Sequence, residues 1–234
     1  VVSGIIGEFV GRKWVSFPVG NRVRQIEREN ILNEVLLPVL GTEPSAPRDI
    51  GLEMSVCTNL YKREIIEKNK IRFVSERKYL SEDLFFNIHY IMQCQRAILL
   101  PDCFYHYRMN NISLTNAFRP NRFSLLCMLY ETECKILDEY GILTDAQNRV
   151  NRTMIMKTRN TIRILVNSKN APLEQRRKSL KQILSSPVLQ TVLARYPIGD
   201  YRISLRIPAI LMKHKNINLL WMEERMRYLL KRVL

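Results

Sequence analysis

Residues 1 to 17 alternate apolar and polar positions in short stretches broken by Gly4, Gly7 and Gly11, a pattern that predicts two strands joined by a tight turn. Asn21 then predicts the cap of a helix that buries Val23, Ile26, Leu32, Val35 and Leu36 on one stripe and stops before Pro38. Residues 41 to 51, "GTEPSAPRDIG", hold two prolines and two glycines without an apolar period and predict a loop. Beyond it "MSVCTNLYKREIIEKN" predicts a helix and "IRF" a short strand. "EDLFFNIHYIMQCQ" predicts a helix that buries Leu84, Phe85, Ile88, Ile91 and Met92.

"AILL", a turn at Pro101 and Asp102, and "CFYHYRM" complete an α/β region. Strand alternation puts Phe104, His106 and Arg108 on one face and Cys103, Tyr105, Tyr107 and Met109 on the other. From about residue 119 the period is helical. One helix ends at Gly141, and a long one starts from a cap at Thr144 or Asp145. Pro172, Pro187, Pro197 and Pro208 divide the rest into shorter helices. The predicted organisation is an α/β part over residues 1 to 118 and a helical domain over 119 to 234.

Charge sharpens that division. The chain has 37 Lys and Arg against 22 Asp and Glu, a net charge of +15. Residues 111 to 234 carry 22 basic and 9 acidic side chains, so the excess sits in the helical half. Such a surface attracts nucleic acid, anionic lipid or acidic polymers, and charge alone does not choose among them. The five cysteines are odd in number and lack C-x-x-C pairing, which speaks against a zinc site or a disulfide framework and for a reducing cytosol. No apolar run approaches the roughly eighteen residues of a membrane span. A strand pattern that begins at Val1 suggests a piece of a longer protein.

The chemistry centres on "RKYLSEDLFFNIHY", residues 77 to 90, where two carboxylates stand before an aromatic run. Ser81 followed by Glu82 and Asp83 is what a helix start prefers, since Ser caps free N–H groups and first-turn acids complement the dipole. Neighbouring helix positions point about 100° apart, so the two cannot face each other across a bond. One of them, however, could act alone as a base.

Five short motifs occur in order between residues 55 and 125: Leu60-Tyr61-Lys62-Arg63, Ile71-x-Phe73, Ser81-Glu82-Asp83-x-x-Phe86-Asn87, Tyr105-x-Tyr107-Arg108 and Asn110-x-x-Ser113. This stretch resembles the family 2 glycosyltransferases of bacterial capsule, exopolysaccharide and cell-wall glycan synthesis. The resemblance implies a GT-A-like mixed sheet with helices and a hexosyltransferase-type activity. A sugar would pass with inversion from a nucleotide-sugar donor to a glycan or lipid-linked acceptor, with a divalent metal, Mg or Mn, on the donor diphosphate.

Carried onto this chain, the resemblance makes Asp83 the base, with Glu82 beside it, and gives substrate contacts to Lys62, Tyr107, Arg108 and Ser113. A base suits the reaction because the acceptor hydroxyl loses its proton as it attacks, and cations suit the departing diphosphate. His106, on the same strand face as Arg108, is the candidate metal ligand. The family's Asp-x-Asp metal motif is absent from this sequence. The nucleotide-binding half and most metal ligands are therefore expected ahead of Val1, and the fragment alone is expected to be inactive. Glu27 and Glu29, spaced Glu-x-Glu, read as a solvated helix face.

At the C-terminal end Leu219, Met222, Met226, Leu229, Leu230 and Val233 share one stripe, with Arg225, Arg227, Lys231 and Arg232 on the other face and Trp221 beside it. The pattern suits either a core helix or an anionic membrane surface. With the cysteine usage, the expected location is the cytoplasm, and on the membrane reading of this helix the protein is peripheral at the inner face of the cell membrane. The rival reading is a non-catalytic basic module for nucleic acid or an acidic partner. Nucleic acid is disfavoured because the aromatics lie in apolar stripes and do not interleave with the charges.

Overall fold

A computed structural model of the chain describes residues 2–9, 15–47, 51–52, 54–75, 79–109, 121–169 and 171–233. They divide into two compact units, one of Val1–Gly41 with Ile50–Thr115, the other of Thr42–Asp49 with Asn116–Leu234.

The first unit holds one sheet of four strands in the order β2-β1-β4-β3. Strands β1 (Val2–Phe9) and β2 (Val15–Phe17) pair antiparallel, as the alternation predicted, with Ile6 opposite Ser16. The chain between them lies outside the described residues. β3 (Arg24–Glu27) pairs antiparallel with the start of β4 (Arg96–Met109), and β1 runs parallel to β4. The turn expected at Pro101 and Asp102 is absent, because "AILL" and "CFYHYRM" are one strand. Pro101 is tolerated there because β3 pairs only as far as Leu99, and the register against β1 slips between Leu99 and Cys103. A residue with no N–H thus falls where the ladder skips.

Asn21 does not cap a helix. Residues 24 to 27 are strand, and Val23 is exposed. Helix α1 (Arg28–Ile31) begins after them and continues through a wide π turn (Leu32–Leu36) into α2 (Leu37–Leu40), so the helical path runs past Pro38. In the wide turn the Leu37 N–H reaches back to the Leu32 carbonyl, and this loosened ladder accommodates the proline that follows. The path ends at Gly41, whose φ of 153° favours glycine.

The stretch "MSVCTNLYKREIIEKN" is not one helix. It forms a 3-10 turn (Val56–Thr58), an extended segment, and the short α3 (Arg63–Lys68). "IRF" is irregular chain and not a strand. Helix α4 (Glu82–Met92) buries Leu84, Phe85, Phe86, Ile88 and Ile91, while Met92 is only half-buried.

The α/β expectation, with a GT-A-like mixed sheet, is overturned: the chain is mostly helical, and its strand is confined to this one small sheet among the described residues. The cue that misled was the count of short apolar runs. "IRF" buries only Ile71 and pairs with nothing in the sheet, and two predicted strands proved to be one.

The second unit is built on α6 (Leu143–Asn167), whose residues Ala146, Val150, Met154, Thr158 and Ile162 recur every fourth position and are almost wholly buried. It packs against α5 (Arg122–Glu139), α7 (Leu173–Leu184), α8 (Pro187–Arg195) and α10 (Ile217–Val233). Gly141, at φ 70°, closes α5: its N–H bonds the Asp138 carbonyl, and Ile142 N–H bonds that of Leu137. The next helix follows at once from Ile142, ahead of the predicted cap at Thr144 or Asp145.

Helix α9 (Ile203–Lys213) contains Pro208 instead of ending before it. Proline leaves the Ser204 carbonyl without its helical donor, and the Arg227 guanidinium of α10 donates to that oxygen at 2.7 Å. Among the described residues no helix is long and apolar enough to cross a membrane.

Candidate functional site

Helix α4 turns its apolar side chains into the core of the first unit and keeps three polar ones, Asp83, Asn87 and Tyr90, on a single face at i, i+4 and i+7. Each holds part of one segment, residues 54 to 62, which comprises the 3-10 turn and the extended chain after it. The Val56 N–H donates to Asp83 Oδ2 at 3.2 Å, Asn87 Nδ2 donates to the Met54 carbonyl at 2.6 Å, and the Lys62 N–H donates to the Tyr90 hydroxyl at 2.5 Å. The Tyr61 hydroxyl donates to Asn87 Oδ1 at 2.6 Å and accepts from Asn59 Nδ2 at 2.8 Å. Asn87 is buried, and both ends of its amide are used.

Aromatic packing seats the same segment. The Tyr61 ring meets Phe86 and Tyr90 edge-on, with centroids 5.2 and 4.8 Å away, and Phe73 stacks on Phe86 at 4.3 Å. Residues from three of the five sequence motifs therefore meet at one place.

Burial sets the electrostatics. It raises the Asp83 carboxyl above its ordinary range, against the Val56 N–H that lowers it, and the charge of Glu82 adds to the rise. It also raises the Tyr61 phenol, which the Asn59 hydrogen bond opposes and the Asp83 charge reinforces. Ser81 stands at the cap position, but its side chain makes no capping bond. The Leu84 N–H reaches the Ser81 carbonyl instead.

A cavity of ≈ 870 Å³ opens beside this segment. Ile31, Val35 and Val39 give it an apolar wall, while Asn59, Tyr61, Lys62, Asn87 and Tyr90 line it from the segment and α4. Asp83, one turn before Asn87, is not among its lining residues. Lys62 stands at the rim, exposed and paired with Glu64 at 3.0 Å.

The structure does not bring His106 to this segment. His106 is exposed on β4 opposite Ile6, whereas the segment meets the sheet where Asn59 bridges Val2, four residues earlier on β1 and so about 13 Å away. Tyr107 and Arg108 lie on β4 opposite Gly7 and Glu8, and Ser113 lies outside the described residues. Among the described residues no group of three or more His, Cys, Asp or Glu side chains could hold a metal ion. No step is assigned to a metal.

Sequence reasoning missed Asn59, Asn87 and Tyr90 as members of this network. The signal was an asparagine inside the apolar run "DLFFNI", since a buried amide needs partners. No family model matches the chain, and no curated protein or solved structure does.

Proposed function

We propose that the segment 54–62 and helix α4 form the acceptor side of a glycosyl-transfer site in which Asp83 is the base. The observation that carries this reading is the joining of separate motifs: Tyr61 of Leu-Tyr-Lys-Arg, Phe73 of Ile-x-Phe, and Asp83, Phe86 and Asn87 of the acidic motif pack or hydrogen-bond as one cluster. A partly desolvated carboxylate with a raised pKa is better matched to proton abstraction than an ordinary surface acid. In the reaction, Asp83 takes the acceptor's hydroxyl proton while the oxygen attacks the anomeric carbon. The bond to the diphosphate oxygen breaks, and the nucleoside diphosphate leaves.

The test is transfer of labelled sugar from uridine and guanosine diphosphate sugars to glycan and lipid-linked acceptors by the full-length protein. Asp83→Asn lowers kcat by roughly 10² to 10⁴ without changing donor affinity, because an amide cannot take the proton. Glu82→Gln lowers it far less. Unchanged transfer by Asp83→Asn, or equal loss in both variants, overturns the assignment.

A further inference from the structure

The outward faces of α9 and α10 are apolar where a packed helical unit is ordinarily polar. Helix α10 docks through Leu220, fully buried, and leaves Leu219, Met222, Met226, Leu229 and Leu230 exposed, the last at 62%. On α9, which packs beside it, Ile203 is 71% exposed, and Ile207 and Ile210 are exposed too. The stripe that a core helix would bury is the one turned to solvent.

Charge is sorted in the opposite sense. From Tyr201 to the last residue the only acids are Glu223 and Glu224. Glu224 is fully buried between Arg159 at 2.8 Å and Arg163 at 3.0 Å, and Glu223 is taken up by Arg159 and Arg227. The acids face inward, while Arg202, Lys213, Lys215 and Arg225 are exposed. The surface of α9 and α10 is therefore apolar and cationic, with both of its own acids turned inward; the exposed acids nearest in sequence are Asp200, ahead of α9, and Glu174 of α7.

Beside the α10 stripe lies a pocket of ≈ 520 Å³ that Leu229 also lines. Lys169, Arg176 and Arg225 bring cations to it, and Trp221 and Tyr228 bring aromatic rings. Arg176 lies over the Trp221 ring at 5.3 Å, and its Nε is buried without a hydrogen-bond partner. Arg176 Nη1 donates to the Val166 carbonyl at 2.7 Å and Arg225 Nη1 to the Asn167 amide oxygen at 3.1 Å, and neither guanidinium pairs with a carboxylate among the described residues.

We infer that this face docks on an anionic phospholipid bilayer, with a headgroup phosphate held in the pocket by Arg176, Arg225 and Lys169 and the α9 and α10 stripes entered among the acyl chains. Only a lipid surface offers phosphate and hydrocarbon side by side over such an area. Nucleic acid would leave the isoleucines and methionines unmatched, and a second copy would bring two basic faces together.

The test is co-sedimentation of the full chain with vesicles of phosphatidylcholine alone and of phosphatidylcholine with phosphatidylglycerol. Inorganic phosphate and a DNA duplex are titrated separately, and the oligomeric state is read by light scattering. Binding is expected only to the anionic vesicles and weakens with salt. Arg225→Gln weakens it about fivefold, the effect of one surface cation. Met226→Glu, at an exposed position, weakens it at least as much while circular dichroism stays unchanged. Equal binding to both vesicles overturns the inference. So does tight binding of DNA or of phosphate alone without vesicle binding, or a dimer that Met226→Glu dissociates.

Discussion

Tyr61 and Asn87, 26 residues apart, meet at 2.6 Å, and the same asparagine amide holds the Met54 carbonyl from its other end. One buried side chain thus fixes both the start and the end of the segment carried by α4. Asn87→Leu keeps the branching of the side chain and strands a carbonyl and a hydroxyl, each costly to bury without a partner. Denaturant unfolding should show a loss of about 2 to 3 kcal/mol. Hydrogen exchange should show residues 54 to 62 losing protection before the rest of the unit does.

How much of this was legible in the sequence differs between the two units. The second unit's helices follow a 3.6-residue rhythm that their own residues carry, so α5 and α6 could be read within a few positions of their ends. The segment 54–62 could not, because its conformation is set by Asp83, Asn87 and Tyr90, more than twenty residues later. The same limit governs α10. Its apolar stripe was visible, but its direction was not, since that depends on where Glu223 and Glu224 find Arg159 and Arg163 on a helix some sixty residues earlier. Trp221, read as a residue for a membrane interface, lies under the guanidinium groups of Arg176 and Arg177, a contact between helices that the sequence does not display.

The buried ion pairs of α10 predict a sharp contrast. Glu224→Ala leaves Arg163 without its carboxylate and Arg159 with Glu223 alone, and should cost about 3 to 5 kcal/mol in chemical unfolding. Glu64→Ala removes the exposed partner of Lys62 and should cost less than about 1 kcal/mol. Equal costs would mean that Glu224 is more open to water than its position indicates.

Arg152 is fully buried; its guanidinium donates to the carbonyls of Glu43, Pro44 and Ala46 and lies over the Tyr201 ring at 5.1 Å. These bonds hold residues 42 to 47 in the second unit. Arg152→Met should release that segment, so limited proteolysis should cut there first. Arg152→Lys should rescue little, because an ammonium cannot span three carbonyls as a planar fork does.

The last prediction concerns pH. Glu133 of α5 is buried, with Oε1 lacking a hydrogen-bond partner, and desolvation raises its carboxyl to about 7 against the lowering effect of Lys157. Tyr130 and Cys134, which its charge pushes further up, are the other titratable groups facing it from α5. Between the ordinary glutamate value of 4.5 and about 7 the folded state binds a proton that the unfolded state has released. Stability from this group is therefore complete below the unfolded value and is lost as pH rises through the folded one. The loss is on the order of 3 kcal/mol. Lys157, which burial lowers, gives a slope of the opposite sign and cannot imitate it. Unfolding of the native protein and of Glu133→Gln, measured across this range, should diverge. The native protein falls relative to the variant as pH rises, and a constant difference between them would show that Glu133 keeps an ordinary pKa in the folded chain.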